Sequence, residues 1–129
     1  MRQTKQIRKA VKDLVATAVG IDQVFTSRLM NIDPKQVPLA MVYFDEGSTA
    51  LKGMEGRETD AGLFVEIVGK SAIDLDDFLD DLAEEVENIL DDNKTLGGLV
   101  KVLSQTGFSY NRDDQSPFGT IALNYRVNF

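Results

Sequence analysis

The last positions of the chain alternate between large apolar residues and smaller or polar ones. The large residues, two positions apart, are Ile121, Leu123, Tyr125, Val127 and Phe129. A period of two predicts a half-buried β-strand that runs to the last residue. Residues 108–111 predict a preceding strand, and the charged residues 112–119 predict the loop between them. We expect the closing strand to leave a free sheet edge, an arrangement that proteins often use against a partner.

Two segments have the periodicity of amphipathic helices. In residues 3–18 the apolar positions share one helical face, and the opposite side carries Lys5, Lys9 and Lys12. This basic side is either a solvated surface or a docking surface for an acidic neighbour, such as another copy of the chain. In residues 74–92 the apolar face is accompanied by ten acidic residues and no basic one. Mutual repulsion of these carboxylates weakens a helix, so packing must compensate.

Further strands are predicted from residues 24–30, 39–44 and 63–68. The second of these is continuously apolar, which predicts a central strand buried on both faces. Residues 96–103 fit either a helix or a strand. Because Gly97 and Gly98 disfavour a helix, we expect a short turn followed by a strand. The sequence therefore predicts a single α+β domain spanning 1–129, with two helices packed on a mixed, largely antiparallel sheet of about five strands.

Residues 46–62 combine glycines with charges and contain few apolar residues. We interpret this segment as a long flexible loop or a weak hairpin. Loops of this length inside a compact domain are usually functional or disordered, so we consider it a candidate assembly element. Its candidate residues are Glu46, Gly53, Glu55, Arg57 and Glu58.

Composition narrows the possible chemistry. The 129 residues contain no cysteine and no histidine. This excludes disulfides and thiolate catalysis and removes the commonest general base. The sequence predicts neither a secretory signal nor a membrane span. The net charge of −7 predicts weak affinity for nucleic acid overall, although an acidic protein can surround DNA without gripping it.

Carboxylates offer one alternative chemistry, that of a magnesium-dependent nuclease. Asp113 and Asp114 are adjacent, and Asp45 and Glu66 on predicted strands are candidate further ligands. The residue two positions after Glu66 is Val68, where the common nuclease pattern requires lysine. We therefore expect no catalytic residue, cofactor or bound metal, and at most a weak magnesium effect on assembly through charge screening.

Residues 107–129 read GFSYNRDDQSPFGTIALNYRVNF. A glycine–aromatic–x–tyrosine run leads into Arg-Asp-Asp, a short loop and a closing strand that ends on an aromatic residue. This stretch resembles the C-terminus of the tail terminator family of long-tailed phages, typified by lambda-type minor tail protein U. The length of the chain and its order of elements are also similar to that family.

The resemblance implies a structural virion protein, at the head-proximal end of the tail, that assembles in the host cytoplasm. Its expected partners are further copies of itself in a hexameric ring, the tail tube protein, and a head-completion or connector protein. DNA is expected to pass through the ring without specific binding. The candidate interface residues are Lys5, Lys9, Lys12, Arg112, Asp113, Asp114 and Phe118. The alternatives are a head–tail connector or head-completion protein and, less favoured, the nuclease.

Overall fold

The computed structural model describes residues 2–29, 31–51, 56–71, 73–112 and 118–129. The helices and strands, in chain order, are α1 (Gln3–Val15), β1 (Gln23–Phe25), β2 (Leu39–Leu51), β3 (Arg57–Lys70), α2 (Leu75–Asp91), β4 (Val102–Arg112) and β5 (Phe118–Asn128). Short 3-10 helices cover Pro34–Gln36 and Leu96–Gly98. Two helices and a five-stranded mixed sheet confirm the α+β prediction. None of the helices in the described ranges is long and apolar enough to cross a membrane.

The strand order in the sheet is β1-β2-β3-β5-β4. Strand β1 is parallel to β2, and all other neighbours are antiparallel. The predicted free edge at the C-terminal strand is therefore wrong, because β5 lies between β3 and β4 and the edge belongs to β4. An alternating pattern shows which face of a strand is buried, but it does not show which strands lie beside it.

Both helices cover the same face of the sheet. Helix α1 packs against β1 and β2, and α2 packs against β3 and β5. The apolar residues that the alternation in β5 predicted to be buried are at most 3% exposed from Ile121 to Val127. Central strand β2 is buried on both faces, as predicted. Ala40 and Val42 join the core under the helices, and Leu39 and Met41 form a smaller cluster on the opposite face with Val68.

The segment 46–62 is mostly a β-hairpin. Strands β2 and β3 stay paired from Gly47–Ala61 out to Leu51–Arg57, with a register shift between Phe44 and Gly47. Glu46 therefore lies in β2, and Arg57 and Glu58 lie in β3. Of the two interpretations, the hairpin is confirmed for these residues and the flexible loop is wrong, because cross-strand pairing orders the segment. Gly53 and Glu55 lie outside the described residues.

Three other sequence-based boundaries differ from the structure. The strand expected at 24–30 is limited to the three residues of β1. Arg112 and Phe118, expected in a loop, are the last residue of β4 and the first residue of β5. Asp113 and Asp114 lie outside the described residues. The short turn expected before β4 is present as the 3-10 helix Leu96–Gly98.

Helix α2 approaches the sheet closely at a pair of glycines. Gly69 and Gly119 are cross-strand partners in β3 and β5. A Cβ atom added to Gly69 would lie 2.9 Å from Cδ2 of Leu79 and 3.1 Å from the ring of Phe78. Leu79 is fully buried, so its side chain has little room to move. The two glycines thus form a flat platform for the first turns of the helix.

We expect Gly69→Ala to destabilise the protein by about 1–3 kcal/mol, because the added methyl group overpacks the α2 contact. Gly107→Ala is the matched control, since a Cβ atom there has no neighbour within 4 Å. The control should be neutral, or stabilising by up to about 1 kcal/mol, because alanine restricts the unfolded chain. Urea unfolding of both variants tests this, and equal stabilities would contradict the platform.

Candidate functional site

The basic side of α1 is an accessible surface. Lys5 and Lys9 are exposed and Lys12 is half-buried. No ion pair within the described ranges engages these three ammonium groups. The helix is held from below by Ile7, Val11 and Val15, which are fully buried. The fold therefore fixes the position of the lysines while leaving their charges available to another molecule.

The acidic side of α2 is partly satisfied by its neighbours. Asp76 pairs with Arg112 of β4 at 2.7 Å. Asp80 accepts a hydrogen bond from the hydroxyl of Tyr110. Glu85 accepts one from the backbone N–H of Val19, at 3.2 Å. Asp77, Asp81 and Glu84 are exposed, so a negative surface remains on the outer side of the helix.

An open groove lies between α2 and the edge strand β4. Its volume is about 190 Å³, and its lining residues include Asp80, Glu87, Phe108 and Tyr110. The ring of Phe108 is 60% exposed and packs edge-on against Tyr110, with centroids 5.7 Å apart. The pattern of residues 108–111 predicts a strand but not a groove, because it does not show that β4 is the edge strand.

The two groups of predicted interface residues occupy different places. Arg112 lies at the end of β4, with its guanidinium carbon 4.9 Å from the centre of the Tyr110 ring. Phe118 begins β5, with the ammonium nitrogen of Lys70 5.4 Å from its ring centre. Both residues lie at the end of the sheet covered by the start of α2, whereas the lysines belong to α1 over β1 and β2. The structure does not bring the two groups together in one chain.

The carboxylates of the nuclease alternative do not form a metal cage among the residues that the structure describes. No group of three or more suitable ligands is present there. Glu66 accepts a hydrogen bond of 3.0 Å from the hydroxyl of Tyr43, and Asp45 is exposed beside the register shift in β2. The Glu66 carboxylate is thus already engaged in a hydrogen bond between neighbouring strands.

The pKa values of all three tyrosines are raised. Burial, reinforced by the hydrogen bond to Glu66, raises the pKa of Tyr43 to about 12. The hydrogen bond to Asp80 raises the pKa of Tyr110. Burial, with the nearby carboxylates Glu87 and Asp91, raises the pKa of Tyr125. The Tyr125 hydroxyl has no hydrogen-bond partner among the described residues, which makes its ionisation especially unfavourable.

Comparisons with known proteins identify relatives over nearly the whole chain. The model of the phage minor tail protein U family matches residues 2–129. The tail tube terminator protein of Escherichia phage N15 is 26% identical over 128 residues, which cover 97% of this chain and 96% of the relative. A chain from the solved structure of the virion of a native gene transfer agent particle has a TM-score of 0.52 at 11% identity. That superposition covers 95% of this chain and 92% of the other, and it shows a shared fold.

The tyrosine environments predict sensitivity to alkali. Each folded-state pKa lies above the unfolded value of about 10, so the stabilising contribution is fully present below pH ~10. It is lost as the pH rises toward the folded-state pKa, which is about 12 for Tyr43. Urea midpoints should therefore fall from pH ~10 upward. Tyrosinate absorbance of the folded protein should remain low at pH ~10, and half-ionisation of all tyrosines there would contradict these environments.

Proposed function

The chain belongs to the phage minor tail protein U family, and we propose that it ends growth of the phage tail tube by capping it with a ring of its own copies. The observation that supports this most strongly is the similarity to a tail tube terminator protein along 97% of the chain. The likeness extends over 96% of the relative as well, so it concerns almost the whole of that terminator protein. We place the protein in the virion, at the head-proximal end of the tail, after assembly in the host cytoplasm.

Ring closure requires two different surfaces that fit each other. Identical copies joined head-to-tail close into a ring when the rotation from one copy to the next is a whole-number fraction of a full turn. The basic α1 surface lies toward the β1 edge of the sheet, and the acidic α2 surface lies toward the β4 edge. One copy can therefore present its lysines to the carboxylates of the next. This arrangement supports a closed head-to-tail ring. We propose six copies in it, with magnesium acting at most by screening the carboxylates.

The two faces of the ring then have separate partners. One face matches the last ring of the tail tube, so that no further tube subunit can add. The other face accepts a head-completion or connector protein, and DNA passes through the opening. The outer part of the β2–β3 hairpin, with Glu46, Arg57 and Glu58, and the strand ends at Arg112 and Phe118 are our candidate contacts for these partners. Asp113 and Asp114, which follow Arg112 in the sequence, are further candidate contacts for these partners.

Light scattering and tube capping test the ring. We expect a species of about 86 kDa, six times 14.3 kDa, with ring images by negative stain. Assembly can also be templated by the tube end, so purified tail tubes are the deciding substrate. Capped tubes should stop elongating when tube subunits are added. Tubes that elongate unchanged in the presence of excess protein would overturn the proposal.

Charge reversal tests the helix-to-helix contact. We expect Lys9→Glu/Lys12→Glu to weaken ring formation by about tenfold or more, because like charges across an interface cost several kcal/mol. The control Lys35→Glu/Lys94→Glu changes the net charge by the same amount at exposed lysines that do not belong to α1. Adding Asp81→Lys/Glu84→Lys to the first variant should restore assembly. Analytical ultracentrifugation measures each state, and undiminished assembly of the first variant would eliminate this contact.

A further inference from the structure

Two adjoining clefts at the start of α1 are lined by arginines. The first has a volume of about 320 Å³ and is lined by Arg2, Arg8 and Arg28, with the hydroxyl-bearing Thr4 and Ser27. The second, of about 190 Å³, shares two of these residues and adds Arg57. Its further hydroxyl-bearing residues are Thr49 and Thr59.

Among the residues that the structure describes, no acidic one lines either cleft. This is unexpected in a chain with 21 acidic and 14 basic residues. Glu66 accepts a hydrogen bond from Tyr43, which borders the first cleft, and Asp45 also acts electrostatically on that tyrosine, but neither carboxylate is part of the lining. The clefts thus form a local positive track, surrounded by a protein whose overall charge is negative. We propose that this track binds the phosphodiester backbone of DNA.

Two of the arginines are held in position. One guanidinium nitrogen of Arg8, Nη1, donates to the carbonyl oxygen of Thr26 at 2.6 Å, which leaves its other N–H groups for a ligand. The guanidinium carbon of Arg28 is 5.8 Å from the centre of the Tyr43 ring. A guanidinium positioned in advance loses little entropy when it binds an oxyanion, and its planar donor arrangement suits phosphate.

The start of α1 adds to this positive field. Arg2 occupies the N-cap position without a side-chain cap, and the first turn contains no acidic residue. The partial positive charge of the helix N-terminus therefore adds to the charges of the arginines. Thr4, in this first turn, borders both clefts. The helix end reinforces the site but does not define it.

The arrangement favours a repeating ligand. Phosphates recur along a nucleic-acid strand, and two clefts joined through Arg2 offer successive positions for them. Arginines and hydroxyl groups are the usual donors to phosphate and sugar, and such contacts carry no base sequence information. The contact is therefore sequence-independent. The inference rests on the proposed function for its source of DNA, the genome that passes through the ring.

Salt-dependent binding tests the clefts directly. The probe is a fluorescently labelled duplex of about 16 base pairs and mixed sequence, titrated by anisotropy from about 20 to about 200 mM NaCl. If four arginines contact phosphates, the slope of log K against log salt is about −3.6 for the unaltered protein. Arg2→Gln/Arg28→Gln should bring the slope to about −1.8 and weaken binding by about tenfold or more in low salt.

The control is Lys35→Gln/Lys94→Gln, which removes the same number of positive charges from exposed lysines that line neither cleft. We expect it to retain most of the binding and the steep slope. Absence of binding by the unaltered protein at about 20 mM NaCl would overturn the inference. An equal loss in the control would do the same. A third result would also overturn the inference. If Arg2→Gln/Arg28→Gln disrupts ring formation but leaves the salt slope of DNA binding unchanged, the clefts bind carboxylates of a second copy and not DNA.

Tube capping separates this inference from the proposed function. An unaltered protein that caps tubes but does not bind the duplex would retain the terminator role and lose the DNA contact. An unaltered protein that binds the duplex through the arginines but fails to cap tubes would keep the clefts and lose that role.

Discussion

The sheet depends on its last strand. Strand β5 pairs with β3 on one side and with β4 on the other, so it joins β4 to the rest of the sheet. Pairing continues to the end of the chain, where the backbone of Phe129 exchanges hydrogen bonds of 2.6 and 2.8 Å with Thr59. Burial of the four inward residues of β5 contributes on the order of 6–12 kcal/mol, comparable with the net stability of a whole domain. The α2 platform and the edge groove therefore exist only once the C-terminus is in place.

Local patterns predicted the elements of this fold but not their neighbours. The apolar faces of both helices and the inward residues of β5 followed from periodicity, because burial repeats with the geometry of each element. The position of β5 inside the sheet did not follow, because an alternating strand satisfies either an edge or a central place. Beyond Phe44 the sequence left a flexible loop and a weak hairpin both open, because the exposed polar residues there hold their positions by pairing rather than by burial.

Some of the candidate surfaces could be predicted from local patterns, and others could not. The charges of α1 and α2 could be read from the sequence, because a helix displays its polar residues at a known spacing. The groove beside Phe108 and the clefts around Arg2 could not, since each combines residues from distant parts of the chain. Arg28 and Tyr43 meet the start of α1 through the packing of that helix on β1 and β2. No local signal in the sequence joins them.

The two helices that cover the sheet carry opposite charges on their exposed sides, positive on α1 and negative on α2. The carboxylates of α2 repel one another, and only some are paired with β4 or the backbone. Repulsion on an exposed face is reduced by salt and water, so the fold tolerates it, and it is relieved further when a cation approaches.

A negative surface also discourages prolonged adhesion of DNA. In the proposed ring, repeated arginine clefts would combine weak, salt-sensitive contacts into useful retention of DNA, because linked sites raise the effective concentration of each other. The DNA could then move through the ring by exchanging one phosphate contact for the next. A uniformly basic channel would hold the DNA more tightly and resist this movement.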